Sequence, residues 1–251
     1  MFEKPHPASG RSTALGLLPA LTLLPALTLL PAFALLAAAL PAAAAWTEGL
    51  VLTADYLGPG MATSFSREAP WGVTPAREPL GTDPVGRWHD GLVYVVNRSG
   101  GNNLQVLDPA AGYQTVRQFG LGAGRNPQDI AFGPDGRAWV SCYDTAELLE
   151  VDATAGSVVA AYSTAGFADA DGLPETGWMQ AVGSRLFITA QLLDRNNWYE
   201  PTGPGRLLVF DMAARAWVDA DPAAPGVDGI VLAGANPYPQ IELASDRQRL
   251  Y

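Results

Sequence analysis

From residue 46 onward, apolar residues fall in short runs bounded by Gly, Pro, Asn and Asp, and no amphipathic stretch is long enough for a sizeable helix. Short apolar runs separated by turn residues predict an all-β chain. The runs also repeat. Asp90-Gly91-Leu92-Val93-Tyr94-Val95-Val96 aligns with Asp135-Gly136-Arg137-Ala138-Trp139-Val140-Ser141 at an offset of 45, and Gly183-Ser184-Arg185-Leu186-Phe187-Ile188-Thr189 follows 48 residues later. Each copy carries an aromatic at the same place (Tyr94, Trp139, Phe187), followed by a β-branched residue. Downstream, Leu104-Gln105-Val106-Leu107-Asp108 is matched by Leu148-Leu149-Glu150-Val151-Asp152 and by Leu207-Leu208-Val209-Phe210-Asp211. Upstream, Asn126-Pro127-Gln128-Asp129-Ile130 has a looser echo in Asn236-Pro237-Tyr238-Pro239-Gln240-Ile241.

A period near 45 made of about four short strands predicts blades of a β-propeller. One four-stranded blade cannot bury both faces alone, and radial stacking covers each blade with its neighbours. The aromatics at 94, 139 and 187 would fill the layers between blades. The runs place strands near 92–97, 104–108 and 114–119 in blade one. Blade two takes 127–132, 137–142, 148–152 and 157–162. Blade three takes 177–182, 185–190, 206–211 and a strand after Ala214, and a fourth blade begins near Gln240. Residues 47–56 alternate weakly and predict an extra or closing strand, whereas Pro/Gly-rich residues 57–83 are expected to be irregular. The repeat breaks off at Arg249-Leu250-Tyr251, so the expectation is an incomplete propeller: about three blades with partial flanks, part of a longer ring that gapes between first and last blades.

Ahead of this region, residues 1–45 read as a signal peptide. Lys4 and Arg11 give a weakly basic start, no charge occurs from Thr13 to Leu40, and Ala43-Ala44-Ala45 suits cleavage before Trp46. An uncleaved membrane anchor is the alternative reading of so long an apolar run. Prolines at 19, 25 and 31 interrupt it. Either way residues 46 onward are expected to be exported to the periplasm, cell surface or medium. The chain then divides into the leader at 1–45, an N-terminal strand and linker at 46–83, and a partial propeller at 84–251.

Charge and composition narrow the function. After the leader there are 13 Arg, no Lys and 24 acidic residues, a formal charge of −11. So acidic a chain lacks the basic stripe that nucleic acid requires. Cys142 stands alone and His89 is the sole histidine beyond the leader, so neither a disulfide nor a Cys/His zinc site can be assembled within it. Gly-x-Ser-x-Gly, Walker and Gly-x-Gly-x-x-Gly motifs are absent.

Tyr94-Val95-Val96-Asn97 after Asp90-Gly91, and Phe132-Gly133-Pro134-Asp135-Gly136-Arg137-Ala138-Trp139-Val140, resemble the YVTN-type β-propeller repeat of bacterial surface and periplasmic proteins, over about residues 84–251. The second and third copies depart from the name motif, reading Trp139-Val140-Ser141-Cys142 and Phe187-Ile188-Thr189-Ala190. The resemblance implies a propeller. It leaves function open, because such propellers serve as scaffolds, binding modules and occasional enzymes.

Loop lengths single out one face. Turns between first and second and between third and fourth strands are tight, whereas 98–103, 120–125, 163–176, 191–205 and 219–235 are long and share the other face. Long loops on a rigid scaffold commonly carry function. Asp169, Asp171 and Glu175 put three carboxylates within seven residues, a candidate Ca²⁺ site; a solvated acidic turn is the alternative. Arg98, Asn102, Asn103, Arg125, Asp194, Arg195, Asn197 and Trp198 are candidate ligand-binding residues, their aromatic, amide and charged groups suiting a protein, peptide or glycan partner. The leading expectation is a non-catalytic binding module. A divalent-metal-assisted hydrolase resembling propeller lactonases, or an accessory propeller of a periplasmic redox enzyme, are the alternatives.

Overall fold

A computed structural model describes residues 47–55 and 58–251. The expected leader lies outside the described residues. Three strands come first, β1 (Glu48–Thr53), β2 (Pro59–Ser66) and β3 (Val73–Thr82), joined in the order β1-β2-β3. A four-stranded antiparallel sheet follows: β4 (Val85–His89), β5 (Leu92–Asn97), β6 (Asn103–Asp108) and β7 (Gln114–Gly120). The next is β8 (Pro127–Phe132), β9 (Ala138–Cys142), β10 (Glu147–Asp152) and β11 (Ser157–Ser163). The last contains β12 (Thr176–Val182), β13 (Arg185–Ala190), a small hairpin of β14 (Leu193–Asp194) and β15 (Glu200–Pro201), then β16 (Arg206–Asp211), β17 (Ala216–Trp217) and β18 (Ile230–Val231). Its sheet runs β12-β13-β16, and β17 and β18 share the outer edge of β16. These meandering antiparallel sheets are blades of a β-propeller.

The turns follow from local chemistry. Asp90 and Gly91, between β4 and β5, both have positive φ (44° and 83°), as a two-residue type I′ hairpin turn requires. Strands two and three of each blade are buried on both faces, which is why they read as unbroken apolar runs. Along β5, Val93 and Val95 face a core shared with the N-terminal sheet (Ala62, Leu80), whereas Tyr94 and Val96 face a core shared with blade two (Ile130, Val140, Leu149). Trp139 belongs to the next layer, with Leu186, Ile188 and Phe210 of blade three. Burying each such side chain contributes roughly 1.5–3 kcal/mol. Phe187, the third repeated aromatic, is only half-buried.

The inner strands are also tied electrostatically. Asp129 on β8 is fully buried and accepts both Arg87 Nε (2.8 Å) and Arg87 Nη2 (2.7 Å) from β4. Its two oxygens take the amides of Ile130 and, across the next blade boundary, Met179 (2.8 Å each). A buried carboxylate with this many donors leaves no lone pair stranded.

The chain departs from the sequence reading in several places. Residues 57–83 do not form an irregular linker, because 59–66 and 73–82 are strands. Pro75 and Pro79 lie on β3, the edge of its sheet, where a missing ladder donor is tolerated. The span 191–205 folds a hairpin of its own, and 219–235 is an insertion in the outer strand of blade three, not a blade-to-blade loop. Finally, the strand expected near Gln240 is reduced to one isolated bridge, Leu243–Leu250, flanked by reciprocal Glu242–Tyr251 hydrogen bonds of 2.9 Å.

Candidate functional site

Each blade presents the end of its second strand and the start of its first on the long-loop face. Four residues past the repeated aromatics stand Arg98, Tyr143 and Gln191. Ahead of the first strands stand Asp83 and Asn126, both with positive φ (45° and 47°), followed by Pro84 and Pro127. Asn236-Pro237 repeats that pattern, Asn236 having φ 49°. Of these register-equivalent residues, Arg98, Tyr143, Gln191, Asp83 and Asn126 line an open cavity of about 420 Å³, together with Ser99, Gln128, Asp144, Tyr199 and Tyr238.

Its floor is rigid. Asn126 Oδ1 accepts the Ser99 amide (3.0 Å) and Gln128 Nε2 (3.1 Å), and the Asn126 amide donates to Asn102 Oδ1 (2.8 Å). Arg98 donates Nη2 to Asp83 Oδ1 (2.8 Å) and Nη1 to Gln128 Oε1 (3.0 Å). Trp178 on β12 lies within cation–π reach of Arg87 (5.6 Å) and Arg98 (5.9 Å), and its indole N–H donates to the Tyr238 carbonyl. Tyr199 and Tyr238 are 50% and 65% exposed, so their rings remain available to a ligand. Burial, with Glu175 nearby, pushes the Tyr143 phenol up to about 12, so it stays a neutral hydrogen-bonding group.

The carboxylates of the acidic loop, the candidate Ca²⁺ ligands, are each hydrogen-bonded within the protein. Glu175, fully buried, accepts Arg195 Nε (2.9 Å) and the Leu193 amide (3.0 Å). Asp171 accepts the amides of Leu173 (3.0 Å) and Arg195 (3.1 Å). Asp169 accepts the Asp171 amide and Thr202 Oγ1 (2.7 Å). Arg195 also reaches Asp144 (2.7 Å) and the Tyr143 carbonyl (2.6 Å), with the rings of Tyr143 and Tyr199 at 5.0 and 5.8 Å. The cation paired with Glu175 is therefore the Arg195 guanidinium, twenty residues further along, whereas Asp169 and Asp171 are held by amides and a hydroxyl. Among the described residues no group of three or more His, Cys, Asp or Glu is arranged to hold a metal ion. Burial raises Glu175 above the usual carboxylate range despite Arg195.

The other candidates divide. Arg98 lines the cavity, and Arg195 holds its wall. Asn102 and Asn103 are loop-forming: Asn103 Oδ1 accepts Asn97 Nδ2 (2.8 Å) and Gln118 Nε2 (2.9 Å). Arg125 is spent on Glu147 (2.9 Å) and the Leu121 carbonyl. Asp194 caps the Asn196 amide (2.8 Å) within the β14–β15 hairpin. Asn197 is exposed at that hairpin's tip beside Trp198, which is 93% exposed. Reading the sequence by repeat position would have found Tyr143 and Gln191, which share Arg98's register. His89 lies at the β4–β5 turn, stacked on Phe132 with ring centroids 3.7 Å apart, and burial pushes the Cys142 thiol up to about 12.

No protein-family model matches the chain, and no curated protein matches it. Solved structures do. Hydrazine synthase of Kuenenia stuttgartiensis is similar over 68% of this chain and 42% of its own, with 16% identity and a TM-score of 0.46. A Bacteroides fragilis protein provisionally named a 6-phosphogluconolactonase is similar over 79% of this chain and 61% of its own, with 12% identity and a TM-score of 0.49. A Lactobacillus plantarum protein is similar over 80% and 59%, with 17% identity and a TM-score of 0.49. The chain thus spans less than two thirds of each.

Proposed function

We propose that this chain is an exported, non-catalytic propeller of the YVTN type that binds a glycan on its long-loop face. The observation supporting this reading is the cavity itself. Tyrosine rings (143, 199, 238) stand among planar hydrogen-bonding groups of Arg98, Gln128 and Gln191, an arrangement that meets both the apolar faces and the hydroxyl edges of a sugar. The adjoining hairpin is held ready: Trp198 and Tyr199 both adopt positive φ (54° and 59°), a conformation costing bulky residues of order 1–3 kcal/mol each. Arg195 and the Asp194 carbonyl, which accepts the amides of Asn197 and Tyr199 (3.0 Å each), hold that geometry. Such preorganisation lowers the ordering cost of binding.

Calorimetric titration against neutral and acidic oligosaccharides, with a peptide library in parallel, tests the reading. Tyr199→Ala and Tyr238→Ala should each weaken oligosaccharide binding about tenfold, roughly 1.4 kcal/mol, without lowering the melting temperature. Binding that ignores both substitutions, binding by peptides alone, or turnover of the ligand would overturn it.

A further inference from the structure

The polar side chains lining the long-loop cavity are not equally free. Gln128 accepts Arg98 Nη1 at Oε1 (3.0 Å) and donates Nε2 to the carbonyl and Oδ1 of Asn126 (3.1 Å each). Arg98 spends its other nitrogens on Asp83, Nε on the carbonyl (3.0 Å) and Nη2 on Oδ1 (2.8 Å). Gln191 differs. It is only 5% exposed, yet among the described residues its carboxamide has no hydrogen-bond partner. What remains uncovered of it opens on the cavity, which it lines.

The repeat explains why this amide goes unpaired. Gln191 shares the register of Arg98, and Arg98 is served by Gln128. The counterpart of Asn126-Pro127-Gln128 is Asn236-Pro237-Tyr238, so a tyrosine stands where a glutamine serves Arg98. That segment is docked, its Tyr238 carbonyl accepting the Trp178 indole N–H. The Gln191 backbone is fixed too, its amide donating to the carbonyls of Pro174 (3.1 Å) and Glu175 (3.3 Å). Gly177 leaves room beside the side chain: a Cβ there would lie 3.4 Å from Gln191 Nε2 and 3.0 Å from Thr189 Oγ1. A buried amide with an unmet donor and an unmet acceptor is costly to keep, and a ligand that supplies both relieves that cost.

Charge restricts the ligand further. Asp83, Asp144 and Glu175 stand against Arg98 and Arg195, which leaves the site net negative. Every nitrogen of both guanidinium groups already donates within the protein. A carboxylate or sulfate on the ligand would therefore meet like charge and cations already engaged.

On the glycan reading of this cavity, on which the inference rests, we propose that Gln191 is its specificity-determining residue: the carboxamide bridges two adjacent hydroxyls of an uncharged sugar. One hydroxyl donates to Oε1 and its neighbour accepts from Nε2, a match of two planar, side-by-side groups to a vicinal diol. The rings of Tyr199 and Tyr238 then take the apolar face of the same ligand.

A glycan array carrying neutral oligosaccharides beside uronates of the same stereochemistry supplies the probe. The best neutral binder and its uronate counterpart go into calorimetry, where the neutral sugar should bind at least about tenfold more tightly. Gln191→Met keeps the shape and removes both hydrogen-bonding groups, so it should weaken neutral binding about tenfold. The melting temperature of the unliganded variant should stay level or rise, because no bond within the protein is lost; an amide with a structural role would lower it. Deoxy analogues of the bound sugar should reveal two adjacent positions whose loss weakens wild-type binding about fivefold each, but Gln191→Met binding by less than about twofold. Equal binding of the uronate, unchanged affinity in Gln191→Met, a lowered melting temperature, or no adjacent pair of sensitive hydroxyls would each overturn the proposal. Weakened binding by Tyr199→Ala would in those cases leave the glycan reading standing. Binding by no glycan on the array would instead overturn that reading, and the role of Gln191 with it.

Discussion

Replacing Arg195 with alanine removes three donors from unlike surroundings. Asp144, 35% exposed, can rehydrate, so its lost pairing costs about 0.5 kcal/mol, and the Tyr143 carbonyl bond is worth about 1 kcal/mol. Glu175 is different. Its side chain is fully buried, and stranding a buried charge costs about 3–5 kcal/mol. The expected loss is therefore about 5 kcal/mol near pH 7.5, enough to unfold a marginal domain. A proton can discharge Glu175, and this gives the prediction its sign. An acid whose folded pKa lies above its ordinary value of 4.5 binds protons more tightly in the native state. Its drag on stability is absent below 4.5 and grows as pH rises through the raised value. Without Arg195 the folded pKa rises further, so the drag deepens with pH. Guanidinium melts followed by tryptophan fluorescence should show a deficit for Arg195→Ala that is small near pH 4.5 and near its full size at pH 7.5. Glu175→Gln in the same background should recover most of it. Millimolar calcium should leave the wild-type melt unchanged, because the carboxylates it would need are already engaged. A deficit under about 1 kcal/mol, or one equal at both pH values, would show that Arg195 does not neutralise Glu175.

Cys142 should resist iodoacetamide at pH 8 in the native protein and react once guanidinium unfolds it, since burial holds its thiol near 12; native labelling, read by intact mass, would contradict this. Glu150 accepts Arg215 Nη2 (2.8 Å) and Tyr162 Oη (2.8 Å), and the Arg215 bonds hold its carboxyl below 4.5. Its contribution should be present above 4.5 and vanish as pH falls through the lowered value. The stability gap between wild type and Glu150→Gln, measured by urea melts, should therefore close under acid conditions.

How much the sequence revealed depended on whether a position repeats. Tyr94, Trp139 and the runs around them recur because every blade needs the same two-sided strand, so periodicity alone locates most of the strands. Of the N-terminal sheet, the weak alternation at 47–56 located β1, but β2 and β3 escaped because their prolines read as linker residues; on the edge strand β3 they remove no needed donor. β4 escaped because Trp88 and His89 break an apolar run that a neighbouring sheet would otherwise have demanded.

The contacts of the acidic loop were illegible for a different reason. Spacing along the chain reports how close Asp169, Asp171 and Glu175 are to one another, but not which cation serves them. That partner lies in the next insertion. Two segments that seemed independent, 163–176 and 191–205, are joined through Arg195, and each supplies what the other lacks: the first has a buried carboxylate, Glu175, the second a guanidinium between two tyrosine rings. Because neither follows the blade repeat, both can vary while the blades stay fixed. Of the two, 191–205 lines the cavity through Gln191 and Tyr199, and Arg195 ties it to Glu175, so a change in either segment should be felt there. Arg195→Ala should accordingly loosen Tyr199 as well as destabilise the chain, and the glycan affinity of this variant, measured near pH 4.5 where it remains folded, should fall with that of Tyr199→Ala. Unchanged affinity would separate the hairpin's stability from its role at the cavity.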